Sequence, residues 1–476
     1  MPDSVRTAAH LDRLFALQRA AFARERYPDL RTRQDRLARL KALVIGNEAR
    51  FVAAVDDDFG SRSPHETRLA ELFIVAAECA DAQKQLRRWM RAQRVTTRVH
   101  LQPARAFIER QPVGVVGILS PWNYPIQLAL APAIGALAAG NRVLLKPSEM
   151  TPATSELLRE LVAEKFAEDE FAVVPGDADV GRRFSQLPFD HLFFTGSTAV
   201  GRQVALAAAE HLTPVTLELG GKSPALVAPD ADLAQVAPRL MAGKLLNAGQ
   251  TCIAPDYALV PQGKVDAFVA AMERAAAAMY PTFAGNPDYT SIVNDRHYAR
   301  LVALVDDARA KGARIVVINP ASETTAPGSR KLLPTLIVGA NDTMAVMREE
   351  IFGPLLPIEG YAKLDDAIAC INARPHPLAF YYFGRDGASC RRVLKQTLAG
   401  GVTVNDTLWH FAHSNLPFGG VGASGIGAYH GEASFLAFSH CKPVFVQPRL
   451  AAGALLRPPY GRTYERVLAL LRRLHG

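Results

Sequence analysis

PVGVVGILSPWNYPIQLALAPAIGALAAGNRVLLKPSEM, residues 112–150, alternates short β-branched runs with one long apolar stretch. Val113–Leu119 and Val143–Lys146 have the length and branching of buried strands, and Ile126–Ala139 between them has the length of a helix. Two strands joined through a helix lie parallel in one sheet. Downstream the alternation predicts a helix over Pro152–Phe166, strands at Ala172–Val174 and His191–Phe194, and a helix over Ala199–Ala209. After Leu217 it restarts with strands at Ala225–Val227 and Ala258–Val260 and helices at Leu233–Leu246 and Val265–Met279. Further strands are expected at Ile315–Val317, Leu333–Val338, Ala379–Phe383 and Val402–Val404. The predicted class is α/β, with two doubly wound domains.

A chain of 476 residues exceeds one compact core, at roughly 100–200 residues per domain. With 49% hydrophobic and 21% charged residues it reads as an ordinary globular protein. The net charge of +8 comes from 54 basic residues interleaved with 46 acidic ones, a distribution that argues against a nucleic-acid partner. Five scattered cysteines, Cys79, Cys252, Cys370, Cys390 and Cys441, without a CxxC pair, point to a reducing compartment and a cytoplasmic location. Leu11, Leu14, Phe15 and Phe22 share one helical face, and Asp3, Asp12, Glu25 and Asp29 interrupt the N-terminal arginines. That segment reads as a structural helix rather than a targeting peptide. No window offers the ~18 apolar residues of a transmembrane span. Asn415–Gly431 is glycine-rich, and a strand-like run, Ser434–Val446, follows as an arm. Tyr464–Leu474 is a short basic amphipathic helix, read as a docked or solvated terminus in preference to a membrane contact.

Asn247-Ala248-Gly249-Gln250-Thr251-Cys252 sets a cysteine among small residues that let a substrate approach, and a thiolate there is a strong nucleophile. Glu218 leads Gly220 and Gly221 from a strand end, where a carboxylate can activate water. Gly221-Lys222-Ser223 imitates the tail of a P-loop, but Thr216 stands where its first glycine is required. Asn123, within Pro121–Pro125, can donate a side-chain N–H. With the backbone N–H of Cys252 it forms a candidate oxyanion hole.

Phe194–Gly201 runs from a strand into a helix and offers small residues and free N–H groups to a pyrophosphate. Gly420, Gly422 and Gly425 spell GxGxxG, but outside a strand–turn–helix unit. Lys146 and Glu149 close another strand and suit ribose hydroxyls. Tyr124, Thr251, Trp409, His410 and Phe411 are candidate lining for a substrate entrance. His410 and His413 lack further ligands, so no metal site is expected.

Taken together, PWNYP, KPSE, FTGSTAVG, ELGGKSP, NAGQTC and EEIFGP, in this order over about residues 105–448, resemble the aldehyde dehydrogenase superfamily. Tyr124, Ala199, Ile253–Tyr257 and the FGGVGASG run are similar to its class 3 branch, which includes fatty, aromatic and bacterial coniferyl aldehyde dehydrogenases. The resemblance implies Cys252 as nucleophile, Asn123 as oxyanion donor and Glu218 as acid or base. It also implies cofactor contacts from Trp122, Lys146, Glu149, Gly196, Ser197, Gly201, Glu350 and Phe352. The acid matching Glu350 is itself a candidate base. NAD is the expected cofactor, with NADP tolerated, since Glu149 accepts from ribose hydroxyls and repels a 2′-phosphate. An aldehyde substrate and a homodimer built through the arm are implied as well.

The expected layout is a Rossmann-like NAD-binding domain over 1–94 and 111–215 and a catalytic domain over 216–405. A small β oligomerisation arm with an entrance loop takes 95–110 and 406–448, and a tail takes 449–476. Three competing functions share these features: a cysteine-nucleophile esterase, a coenzyme A-acylating enzyme and a catalytically silent binding protein. A requirement for a nicotinamide cofactor, and the identity of the product, separate them.

Overall fold

The computed structural model describes residues 3–98, 101–326, 328–449 and 452–475. Its first sheet has six strands, in the order Gly425–Ile426, Val215–Glu218, His191–Thr195, Val115–Leu119, Arg142–Lys146, Phe171–Val173. The last five are mutually parallel, and the two-residue strand Gly425–Ile426 adds antiparallel to Val215–Glu218. The chain starts in the middle, at Val115–Leu119, builds two strands to one side, then crosses to His191–Thr195. This doubly wound order opens a crevice where the winding reverses, at the carboxyl ends of those two strands. The strands are buried on both faces, which explains their unbroken apolar runs.

The second sheet has seven strands, ordered Arg314–Val317, Thr335–Val338, Leu355–Tyr361, Tyr257–Pro261, Pro224–Val227, Ala379–Phe383, Gly401–Val404. Only the edge strand Arg314–Val317 is antiparallel. The third sheet is the arm, with Arg105–Pro112 between Gln93–Val95 and Ser439–Val446, all antiparallel.

Two expected boundaries move. Val215–Glu218 pairs with His191–Thr195, so this strand belongs to the first sheet, across the expected division at residue 215. The run from Ser434 is helical through Ala437, within the helix Gly431–Ala437, and the arm strand begins at Ser439. Phe435 is wholly buried and its ring lies 5.7 Å from that of Trp89, so packing beneath the arm decides the helix. The N-terminal helix, Asp3–Arg24, buries Leu11 and Leu14 against the first domain. The final helix, Arg462–His475, touches mainly the turn Ala452–Leu456. Among the described residues no helix is long and apolar enough to cross a membrane.

Candidate active site

Strand register brings the predicted residues to one edge. Leu119 pairs with Lys146 on one side and Phe194 on the other, and Thr195 pairs with Glu218. Trp122 and Asn123, Lys146 and Glu149, Gly196 and Ser197, and Glu218 therefore all leave the sheet at its carboxyl edge. Lys146 Nζ donates to Glu149 Oε2 at 2.8 Å. Burial works to raise the Glu149 pKa, but Lys146 and its own backbone N–H outweigh it and hold the carboxyl ionised. Ser197 caps the helix Thr198–Ala209, its hydroxyl accepting from Val200 N at 3.4 Å. Gly201 is buried against Leu219, where a Cβ would come within 2.6 Å of a methyl group.

Cys252 is aimed by a left-handed turn. Asn247, Ala248 and Gly249 have φ of 52°, 51° and 76°, and a non-glycine residue there stores roughly 1–3 kcal/mol. Gln250, fully buried, holds the turn by donating to the Asn247 and Ser291 carbonyls and accepting from Val293 N. A Cβ on Gly249 would lie 2.3 Å from the Gly353 carbonyl oxygen. Gly249→Ala is therefore expected to lower stability by about 1–3 kcal/mol, read as a fall in the thermal midpoint of the unliganded protein.

Two acids face the thiol. Burial foremost, then the charges of Glu350 and Glu218, pushes the half-buried Cys252 thiol up to about 12, while its own and the Ile253 backbone N–H pull the other way. Glu218 is 2% exposed, neither carboxyl oxygen has a hydrogen-bond partner, and burial raises its pKa far above the carboxylate range. Glu350 is raised to about 8 by burial and then Asp256, against the Gly221 N–H, Lys222 and Arg300. Its carboxyl group lies over Gly220, where a Cβ would meet Oε2 at 2.2 Å. Lys222 fixes that segment: it pairs with Asp256 and donates to the Val346 and Glu349 carbonyls at 2.9 and 3.0 Å.

Asn123 Nδ2 donates to the Gln250 carbonyl at 3.2 Å, two residues from the thiol. The Tyr124 hydroxyl lies 2.7 Å from Thr251 Oγ1, in hydrogen-bond contact. Trp122 stacks edge-on against Phe352, with ring centroids 5.3 Å apart, and Phe352 has a φ of 53° that turns its ring inward. His410 is not part of this group. Its Nδ1 is 2.8 Å from Thr403 Oγ1 and its ring packs between Tyr381 and Phe418, so it is a buried packing residue, while Trp409 beside it is 64% exposed. Arg62, Glu66 and Glu71, which bind the two loops carrying Asn123 and Cys252, had no distinguishing sequence signal. An open cleft of about 550 Å³ runs from Thr198 and Arg202 past Gly220 and Lys222 to Arg348 and Glu350.

The sequence profile of the aldehyde dehydrogenase family matches residues 4–444. The chain belongs to that family. It is 49% identical over 459 residues to a probable coniferyl aldehyde dehydrogenase of Pseudomonas aeruginosa, covering 96% of this chain and 95% of that one. A coniferyl aldehyde dehydrogenase of Pseudomonas sp. is 49% identical over 445 residues, 93% and 92% of the two chains. The substrate-bound state of Staphylococcus aureus AldH superimposes with a TM-score of 0.91 at 38% identity, over 97% of this chain and 99% of that one. The octanal and NAD+ complex of a variant of AldC from Pseudomonas syringae gives 0.82 at 30% identity, over 92% and 89%. Membership makes the chain an oxidoreductase with aldehyde dehydrogenase activity.

Proposed function

We propose that this family member oxidises an aromatic aldehyde such as coniferyl aldehyde, or a medium- to long-chain aliphatic one, to its carboxylic acid, with NAD as oxidant and NADP tolerated. One observation carries the mechanism: the half-buried thiol of Cys252 lies under the influence of two carboxyl groups, Glu218 and Glu350, whose pKa values burial raises. Cys252 Sγ gives its proton to an ionised Glu218 or Glu350 and adds to the aldehyde carbon, and Asn123 Nδ2 with the Cys252 backbone N–H stabilises the alkoxide. Bound NAD would supply the acceptor for the hydride leaving that carbon. The acyl group is left on sulfur as a thioester. Glu218 or Glu350 takes a proton from water as the new C–O bond forms, the C–S bond breaks, and the proton goes to the thiolate.

The strand edge and helix start fit a dinucleotide: Ser197 at the helix N-terminus, Gly201 seated close to Leu219, and an ionised Glu149 beside Lys146. Lys146 and Glu149 would hold ribose hydroxyls, Gly196, Ser197 and Trp122 would border the phosphates, and Glu350 with Phe352 would hold the nicotinamide ribose. Tyr124 and Thr251 would line the substrate side. The relatives named for coniferyl aldehyde support the aromatic choice. A panel of coniferyl, benzyl and aliphatic aldehydes, assayed with each nicotinamide cofactor, tests it; highest kcat/KM for coniferyl aldehyde with NAD is the expected result.

A cytoplasmic homodimer completes the proposal. The outer arm strand Ser439–Val446 has an open edge, and Phe445 and Val446 on it are both 48% exposed, as suits pairing across an interface. Light scattering should give twice the chain mass.

The thiol's environment also sets a cofactor-free expectation. Because an ionised Glu350 pushes the thiol's pKa up, Glu350→Gln should speed iodoacetamide alkylation of Cys252 at a fixed pH above about 8, where the native carboxyl is ionised. In the native protein the alkylation rate should keep rising with pH well beyond the range of an ordinary cysteine. Peptide mass mapping of the alkylated site checks both.

A further inference from the structure

Arg62 and Glu71 form an ion pair with N···O of 3.0 Å, and neither side chain has any exposed surface. A buried pair of this kind is weak evidence for stability, since desolvation offsets much of its attraction. Its contacts run instead to the candidate active site. Arg62 NH1 donates to the Asn123 carbonyl at 3.1 Å, and its guanidinium lies 4.9 Å from the ring centres of both Phe59 and Tyr124. Glu71 Oε2 accepts from Ile126 N at 2.7 Å and Gln127 N at 3.2 Å, the first donors of the helix Gln127–Ala139. One ion pair thus holds the PWNYP loop at its centre and the start of the helix that follows it.

The same segment also reaches the thiol loop. Glu66 Oε2 accepts from Asn247 N at 3.1 Å and from Thr290 Oγ1 at 3.0 Å, and Asn247 Nδ2 donates to the Asn123 carbonyl at 3.0 Å. Asn123 and the left-handed turn before Cys252 are therefore set relative to each other by three side chains between residues 62 and 71. The backbone makes this placement through a π-helical stretch, Arg68–Phe73. Its wider turn puts Glu71 inside while Leu69 and Phe73 are 63% and 61% exposed, an inversion of the usual burial order. Irregular turns of this sort cluster at functional sites.

We infer that Arg62 and Glu71 are positioning residues that fix the Asn123 side chain for oxyanion stabilisation. The inference rests on the proposed role of Asn123, so its test is a double-mutant cycle that separates the two. Asn123→Ala should lower kcat about 10²–10³-fold. Arg62→Met/Glu71→Gln, which removes the pair without stranding one charge, should lower kcat by about 10²-fold with an unchanged KM for the aldehyde, as loss of loop placement does. Arg62→Lys should recover part of that loss. On the Asn123→Ala background the pair substitution should change kcat less than about 2-fold, because nothing is left to position. Independent penalties that multiply, or a native kcat in both Arg62→Met/Glu71→Gln and Arg62→Met, would overturn the positioning role while leaving Asn123 in place. A native kcat in Asn123→Ala would instead remove the donor assignment.

Discussion

Cys252→Ala is expected to lose aldehyde oxidation by on the order of 10⁴-fold or more, because the covalent route has no second thiol to take over. Cys370 and Cys390 lie elsewhere in the second domain, Cys441 is on the arm, and Cys79 is wholly buried. Alanine fits the half-buried position without an overlap, so circular dichroism and the thermal midpoint should stay near native. Retained oxidation in a folded Cys252→Ala protein would refute the nucleophile.

Glu218→Gln is the second large effect. Glutamine is close in shape but cannot accept a proton, and loss of a general base typically removes about 10²–10⁴-fold. If Glu218 serves the hydrolytic step, the first turnover should still reduce nicotinamide in a burst, and steady turnover should then fall by that factor. The same substitution at Glu350 separates the two acids. A burst followed by near-native turnover in Glu218→Gln, with the loss appearing in Glu350→Gln, would move the base to Glu350. Glu350 sits over Gly220 and its carboxyl is raised to about 8. If it is the base, the limiting limb of turnover should rise through about pH 8.

Much of this was legible before the structure. Val113–Leu119 and Val143–Lys146 read as strands because they are buried on both faces and cannot alternate. Phe194–Gly201 reads as a strand running into a helix, and Asn247–Cys252 as small residues that leave a thiol open to approach. What stayed hidden depends on pairing and on burial of charge. Val215–Glu218 belongs to the first sheet because of its neighbour His191–Thr195, and strand alternation carries no information about partners. Phe435 and Phe438 are three apart, a helical spacing, and contact with Trp89 and the helix Gln127–Ala139 holds the stretch from Gly431 to Ala437 as a helix ahead of the arm strand. Arg62, in the loop between two helices, and Glu71, in a helical stretch, look like solvated positions on paper, since charged side chains normally face water. His410 looked like an entrance residue because Trp409 and Phe411 flank it, but its hydrogen bond to Thr403 turns it inward.

Chemical quenching of the Glu218→Gln protein within its first turnover with NAD and an aldehyde, followed by peptide mass analysis, reports on the covalent step most directly. The expected spectrum shows the peptide containing Cys252 heavier by the mass of the acyl group, in proportion to the nicotinamide reduced. Full reduction of nicotinamide with that peptide unmodified, in the Glu218→Gln and the Glu350→Gln proteins alike, would contradict a thioester at Cys252.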